Sequence, residues 1–293
     1  MKRRVHCSVT GILIVLLALS SGCAKNDQDG ELISGDARRR QKDVEYVAGK
    51  ATITYRVPAM NDVQVKVNDE YAEGKLMDIY YPPDFAFDEY LPVVVVVNEL
   101  AGLGAKDMGR FMEWCLLLAA SGMIAVTYDP VYADKDTVLL FDHLETNAEE
   151  LWIDRDRMGL LCYCETCCSG LRIMKMKDHA FYDSIKAGAF LYGTMPWSED
   201  LNPEASILMI KTGKSLADGV MRSIDEFKEA ADLKGVSAEI YYHEAGYKYF
   251  DITEQPQPMY LYGVHESFTA DCDAILEVLR FLREKLTVPP LSA

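Results

Sequence analysis

Four of the eight cysteines crowd into residues 162–168, inside the stretch RMGLLCYCETCCSG at 157–170. A short apolar run at 158–162 passes through Tyr163, Cys164 and Glu165 into a helix-compatible segment ending near Met176. Strand, sharp turn and helix in that order make a nucleophile elbow, where one side chain is held out at the top of a sheet. The usual frame is Gly-x-Ser-x-Gly. Here it is Cys162-Tyr163-Cys164-Glu165-Thr166, with cysteine at the nucleophile position and side chains at both glycine positions. A thiol at a helix N-terminus faces unpaired N–H groups and the positive end of the helix dipole, which favour the reactive thiolate. The N–H of Glu165 and a second from the loop at 98–101, at Leu100, would then form an oxyanion hole for acyl transfer.

The same four cysteines have the composition of a thiolate metal site. Zinc sites draw four ligands to one point, usually from two separated pairs. Cys162 ends a strand while Cys167 and Cys168 diverge around a helix, so no metal is expected, and nothing else in the sequence calls for a cofactor. Ser169 becomes a rival nucleophile only if the register slips by five residues.

An elbow needs a sheet beneath it. Residues 91–97, LPVVVVV, are a continuous β-branched run, the mark of a parallel strand buried on both faces. From there strands and helices alternate. A helix over 108–121 stops at Gly122, then come a strand at 123–128, a helix over 136–151, the strand at 157–162 and the helix over 166–176. Strands at 187–192 and 206–211, an amphipathic helix over 217–231, a strand at 237–243 and a closing helix over 270–286 complete the series. That alternation predicts an α/β fold, a mostly parallel, doubly wound sheet with helices on both faces. Residues 51–57 (ATITYRV), 62–67 (DVQVKV) and 75–81 (KLMDIYY) alternate as antiparallel strands that extend one edge. There is no internal repeat, and one domain over residues 44–293 accounts for the pattern.

The N-terminus sets the compartment. Lys2-Arg3-Arg4 precedes an apolar stretch at 11–19, too short for a membrane span, which ends in Leu19-Ser20-Ser21-Gly22-Cys23. This is the pattern of a bacterial lipoprotein signal over residues 1–22, with Cys23 lipidated and residues 23–43 a flexible tether. The expected location is the cell envelope, facing the periplasm or exterior. Removing residues 1–22 takes three basic and no acidic side chains from a net charge of −16, leaving −19. A surface this acidic argues against nucleic acid and anionic lipid as partners, so acyl chains at Cys23 would hold the protein at its membrane. With 49% apolar residues the chain can build a core without disulfide staples.

Across residues 75–286 the chain resembles the α/β-hydrolases and, among them, the dienelactone hydrolases. Asp78-Ile79-Tyr80-Tyr81-Pro82-Pro83 followed by LPVVVVV is similar to the family's opening strand pair. Asn98-Glu99-Leu100-Ala101-Gly102 resembles its Gln-Glu-Ile-Phe-Gly loop, whose glutamate contacts the nucleophilic cysteine, and Tyr163-Cys164 matches its Gly-Tyr-Cys-x-Gly elbow. Tyr242-His243-Glu244-Ala245-Gly246, leading to Phe250-Asp251, resembles the segment that carries the family histidine.

The resemblance implies hydrolysis of a small carboxylic ester or lactone through Cys164, with Glu99 taking the thiol proton. It also locates three departures. The histidine slot, two residues before Phe250, holds Lys248; the acid slot after the strand at 206–211 holds Ser215; and the elbow glycines are Cys162 and Thr166. Lys248, if desolvated enough to be partly neutral, would replace histidine as base in a Cys/Lys arrangement. The alternative is a catalytically inactive homologue that binds a ligand or acts as a scaffold at the cell envelope. Tyr128-Asp129-Pro130, Tyr192, Trp197 and Tyr249 are expected to line the pocket, and His243, five residues before the slot, to be structural.

Overall fold

The computed structural model describes residues 32–35, 53–98, 104–214, 217–252 and 268–287. Its strands are β1 (Leu32–Ser34), β2 (Gln64–Ala72), β3 (Lys75–Tyr81), β4 (Leu91–Val96), β5 (Ile124–Tyr128), β6 (Ile153–Tyr163), β7 (Ile185–Leu191), β8 (Ser206–Thr212) and β9 (Ser237–His243). Its helices are α1 (Gly109–Ala120), α2 (Ala133–Thr146), α3 (Thr166–Ile173), α4 (Asp218–Lys234) and α5 (Phe268–Lys285). The strands form one sheet in the order β1-β2-β3-β5-β4-β6-β7-β8-β9. The first three join antiparallel to one another and to β5, and all pairings from β5 to β9 are parallel.

The valine run explains why the sheet is covered twice. Side chains alternate along a strand, so a run with no polar position must bury both faces. Val94 and Val96 of β4 pack with Trp114 and Leu117 of α1 and with Ile275 and Val278 of α5. Val93 and Val95 pack on the other face with Phe141 of α2, Leu171 of α3 and Phe227 of α4. The chain leaves β4 for β5 on one side and returns to β6 on the other, so strand order reverses at β4. A crevice opens at the carboxyl ends of strands at such a point, between the end of β4 and the end of β6.

Two N-terminal expectations are corrected. Of the expected strand at 51–57, the described residues 53–57 make none: Ile53 forms a single antiparallel bridge to Ile252, and Thr54 bonds the carbonyls of Phe250 and Asp251. Their alternation is met by packing on a loop instead of a ladder, since Ile53 and Thr54 are both buried. The strand outside β2 is β1, which lies in the segment expected to be a tether and pairs Leu32–Ser34 with residues 64–66. An edge strand takes its place from the backbone its neighbour leaves open, and three residues carry no pattern that a sequence could betray. The rest of the tether and residues 1–31 lie outside the described residues.

Helix α2 starts three residues before its expected position. Its own Asp136 accepts the N–H groups of Val131 (2.6 Å) and Tyr132 (2.8 Å) and pairs with Lys75 at 3.0 Å. Those bonds close the helix entrance from inside, where N–H groups otherwise lack partners.

Candidate active site

Strand β6 is buried over residues 158–163, and the chain then turns at Cys164, whose φ of 57° is left-handed. The Cys164 N–H still donates to Leu191 of β7 at 3.0 Å, so the ladder holds up to the turn itself. Thr166, at the second glycine position of the elbow, clasps the turn: its Oγ1 accepts the N–H of Tyr163 at 2.7 Å and donates to the Tyr163 carbonyl at 2.9 Å. The room that elbow glycines would leave is supplied from two other places. A β-carbon on Gly170, one turn into α3, would lie 2.3 Å from Cys162 Sγ. A β-carbon on Gly193, just past β7, would lie 2.2 Å from the Cys164 carbonyl oxygen and 2.3 Å from Cys167 Sγ. Glycine at these two positions leaves the room that Cys162, Cys167 and the Cys164 carbonyl occupy.

Cys164 is half-buried and opens into a cleft of about 710 Å³ whose walls include Tyr132, Glu165, Arg172, Tyr192 and Lys248. Lys248 comes from the loop after β9 and hydrogen-bonds to Cys164. Burial pulls the Lys248 ammonium toward deprotonation. The hydrogen bond to Cys164 and the charge of Cys164, with Tyr249 adding to both, outweigh that and hold its pKa above the ordinary lysine value. Tyr249, at a left-handed φ of 70°, sets its hydroxyl 3.9 Å from Cys164 Sγ. Burial, and then the charge of Cys164, raise the Tyr249 phenol, so it stays protonated near neutral pH.

One carboxylate ties these parts together. Asp251 is fully buried and accepts Tyr192 Oη at 2.6 Å, Trp114 Nε1 at 2.9 Å and a two-pronged contact from Arg110 at 3.0 Å and 3.2 Å. The Arg110 guanidinium lies 3.5 Å from the ring centroid of Tyr163, the residue before the nucleophile position. The loop of Lys248 and Tyr249, the cleft wall at Tyr192 and the elbow at Tyr163 are therefore all held by α1. A buried charge pair with every lone pair occupied keeps such a geometry.

No family model and no curated protein matches the sequence. Solved structures do. A thermophilic esterase from Thermogutta terrifontis with propionate bound is similar at a TM-score of 0.59 and 15% identity, covering 80% of this chain and 98% of that one. A protein described as a dienelactone hydrolase from Klebsiella pneumoniae is similar at a TM-score of 0.53 and 17% identity, covering 76% and 100%. The fold is an α/β-hydrolase fold.

On this α/β-hydrolase fold Cys164 and Lys248 meet in one cleft, with Glu165 exposed at the entrance to α3 beside them. Glu99, Leu100 and Ser215, like Cys23, lie outside the described residues. The condition under which Lys248 would act as a base, desolvation enough to leave it partly neutral, is opposed here by Cys164 and Tyr249, which raise its pKa against burial. Of the aromatics expected to line the pocket, Tyr192 does, and Tyr249 faces the sulfur. Tyr128 instead lies buried under the crevice, bonded to Asn98 and to Thr137 Oγ1 at 2.5 Å, and Trp197 packs on Phe227.

His243 is buried three strands along the sheet from β6, with Nε2 at 2.6 Å from Asp271 Oδ1, and among the described residues no histidine lines the cleft. The neighbouring sulfurs diverge. Cys162 faces Gly170, Cys167 is buried against the Leu191 carbonyl at 3.8 Å, and Cys168 points to the Thr194 carbonyl at 3.7 Å. Sequence reasoning missed Arg110, Asp251, Gly170 and Gly193.

The displaced glycine has a measurable signature. Gly170→Ala is expected to destabilise the protein by about 1–3 kcal/mol through its clash with Cys162 Sγ. In the Cys162→Gly background the same change costs less, giving a coupling of roughly 0.5–3 kcal/mol in a urea double-mutant cycle. Strict additivity would show that Gly170 does not stand in for the elbow glycine.

Proposed function

We propose that this protein hydrolyses small carboxylic esters or lactones through Cys164, with Lys248 standing where dienelactone hydrolases carry histidine. The observation that carries this reading is a thiol held in a left-handed strand-to-helix turn, open to a cleft and hydrogen-bonded by a lysine. The ammonium of Lys248 pairs with the sulfur that attacks the substrate carbonyl. The N–H groups of Glu165 and Leu100 take the oxyanion, and Glu99 assists in removing the thiol proton. Ser215 occupies the acid position without a carboxylate.

Lys248 changes character on acylation. Once an acyl group sits on the sulfur, Cys164 no longer raises the Lys248 pKa, and burial is opposed by Tyr249 alone, so the ammonium loses its proton more readily than in the free protein. The amine then becomes able to take a proton from the water that attacks the thioester. The sign follows: acylation proceeds with Lys248 charged, and deacylation quickens as pH rises and Lys248 loses its proton.

A competing reading, a ligand-binding or scaffold protein on a hydrolase fold, is favoured by the lack of a histidine among the described residues of the cleft. Rapid-mixing kinetics with p-nitrophenyl acetate separate the two. The expected trace is a stoichiometric burst and then a slow phase that rises with pH. Cys164→Ala abolishes both, and Lys248→Met slows the second phase by roughly 10²-fold or more. Equal rates in wild type and Cys164→Ala would favour the binding protein.

We further propose that Cys23 is lipidated and places the domain at the cell envelope, with a membrane partner through that anchor only and no nucleic-acid partner. The pattern at residues 2–23 and the acidic mature chain support this. Cys23→Ala is expected to shift the protein from the membrane to the soluble fraction on cell fractionation. Unchanged fractionation would argue against the anchor.

A further inference from the structure

Tyr249 has no part in the chemistry so far, yet it touches both groups that do. Its hydroxyl is 3.9 Å from Cys164 Sγ, and it is hydrogen-bonded to Lys248, whose Nζ lies 5.1 Å from the centre of its ring. The backbone is held at φ 70°, a conformation that side-chain-bearing residues avoid, and it persists because the neighbours on each side are fixed. Tyr192 packs edge-on against the ring at 5.5 Å, and Asp251, two residues on, is fully buried. A strained residue with a fixed ring and a polar tip on the nucleophile is placed by the fold, not by its own preference.

We infer that Tyr249 is a catalytic residue, its hydroxyl relaying a proton between Lys248 and the oxygen that leaves the substrate carbonyl. This role rests on the ester or lactone hydrolysis proposed above. An imidazole can accept and donate near neutral pH within one ring; here the two tasks are divided between a cation and a neutral phenol.

The steps balance. The sulfur anion of Cys164 forms a bond to the carbonyl carbon, and the tetrahedral intermediate collapses by breaking the bond to the alkoxide oxygen. Tyr249 gives its proton to that oxygen and takes one from the Lys248 ammonium, so an alcohol leaves and Lys248 remains as an amine beside the thioester. In the second half a water attacks the thioester carbon. Its proton passes through the Tyr249 oxygen to Lys248, and the carbon–sulfur bond breaks to return the acid product, the sulfur anion and the ammonium. No oxidant, metal or further reactant is needed. Burial keeps the phenol protonated between transfers, which is the form a relay must start from.

A relay matters in proportion to how poorly the leaving group departs by itself. A p-nitrophenolate leaves without a proton, whereas an alkoxide does not. Tyr249→Phe keeps the ring against Tyr192 and Lys248 and removes only the oxygen, and it is compared with wild type on p-nitrophenyl acetate and on ethyl acetate, with circular dichroism to confirm folding. The expected result is a p-nitrophenyl acetate burst rate within a few-fold of wild type and an ethyl acetate kcat/KM lower by roughly 10²-fold or more.

Equal losses on both esters would assign Tyr249 a packing role and overturn the relay. Unchanged ethyl acetate turnover would overturn it too, leaving Lys248 to reach the leaving oxygen directly. A wild type with no Cys164-dependent burst on either ester would overturn the hydrolase reading and the relay together. A burst that survives in Tyr249→Phe with no leaving-group dependence would overturn the relay alone.

Discussion

A backbone turned left-handed at a residue with a β-carbon carries a penalty on the order of 1 kcal/mol or more, and Cys164 sits in such a turn where β6 gives way to α3. The surrounding structure is arranged to hold that turn. Leu191 keeps the ladder bonded to the last residue, Thr166 clasps Tyr163 from inside the turn, and Gly170 and Gly193 clear the space that Cys162, Cys167 and the Cys164 carbonyl occupy. None of these contacts buries the Cys164 sulfur, which stays open to the cleft. The strain is balanced by a network whose one visible product is the placement of a thiol.

Charge completes what the backbone begins. The chain is strongly acidic overall, yet the groups brought to the sulfur are Lys248 and, behind the elbow, Arg110. Arg110 is spent on Asp251 and on the face of Tyr163, so its charge stabilises architecture. Lys248 faces the cleft, bonded to Cys164 and Tyr249. A lysine in that position suits an anionic sulfur in a way that a neutral imidazole does not, because an ammonium is a fixed positive charge until its partner disappears.

Much of this was legible in the sequence because it was local. The valine run of β4, the β6–Cys164–α3 order and the Lys248 slot are each read from one continuous stretch of chain, and the structure brings Cys164 and Lys248 into one cleft. What stayed hidden depends on partners far along the chain. Asp251 answers to Trp114 and Arg110, each more than a hundred residues away, and no pattern in GRFMEWCLLLAA announces that its arginine is neutralised from the far end of the sheet. The glycine substitutions at the elbow looked like losses because the glycines that leave room around it, Gly170 and Gly193, lie outside the Cys162–Thr166 frame. The alternating residues 51–57 and the three-residue β1 exchanged roles because edge pairing is settled by the open side of β2, which neither segment encodes.

The central claim is that the sulfur beside Lys248 holds its pKa above that of an ordinary lysine. Titration of the Lys248 Nζ by NMR, in wild type and in Cys164→Ala, measures that pairing at the atom concerned. The account predicts a pKa above that of an exposed lysine in wild type and a lower one in Cys164→Ala, where Tyr249 alone is left to oppose burial. The same titration in both proteins, or a depressed value in wild type, would contradict it.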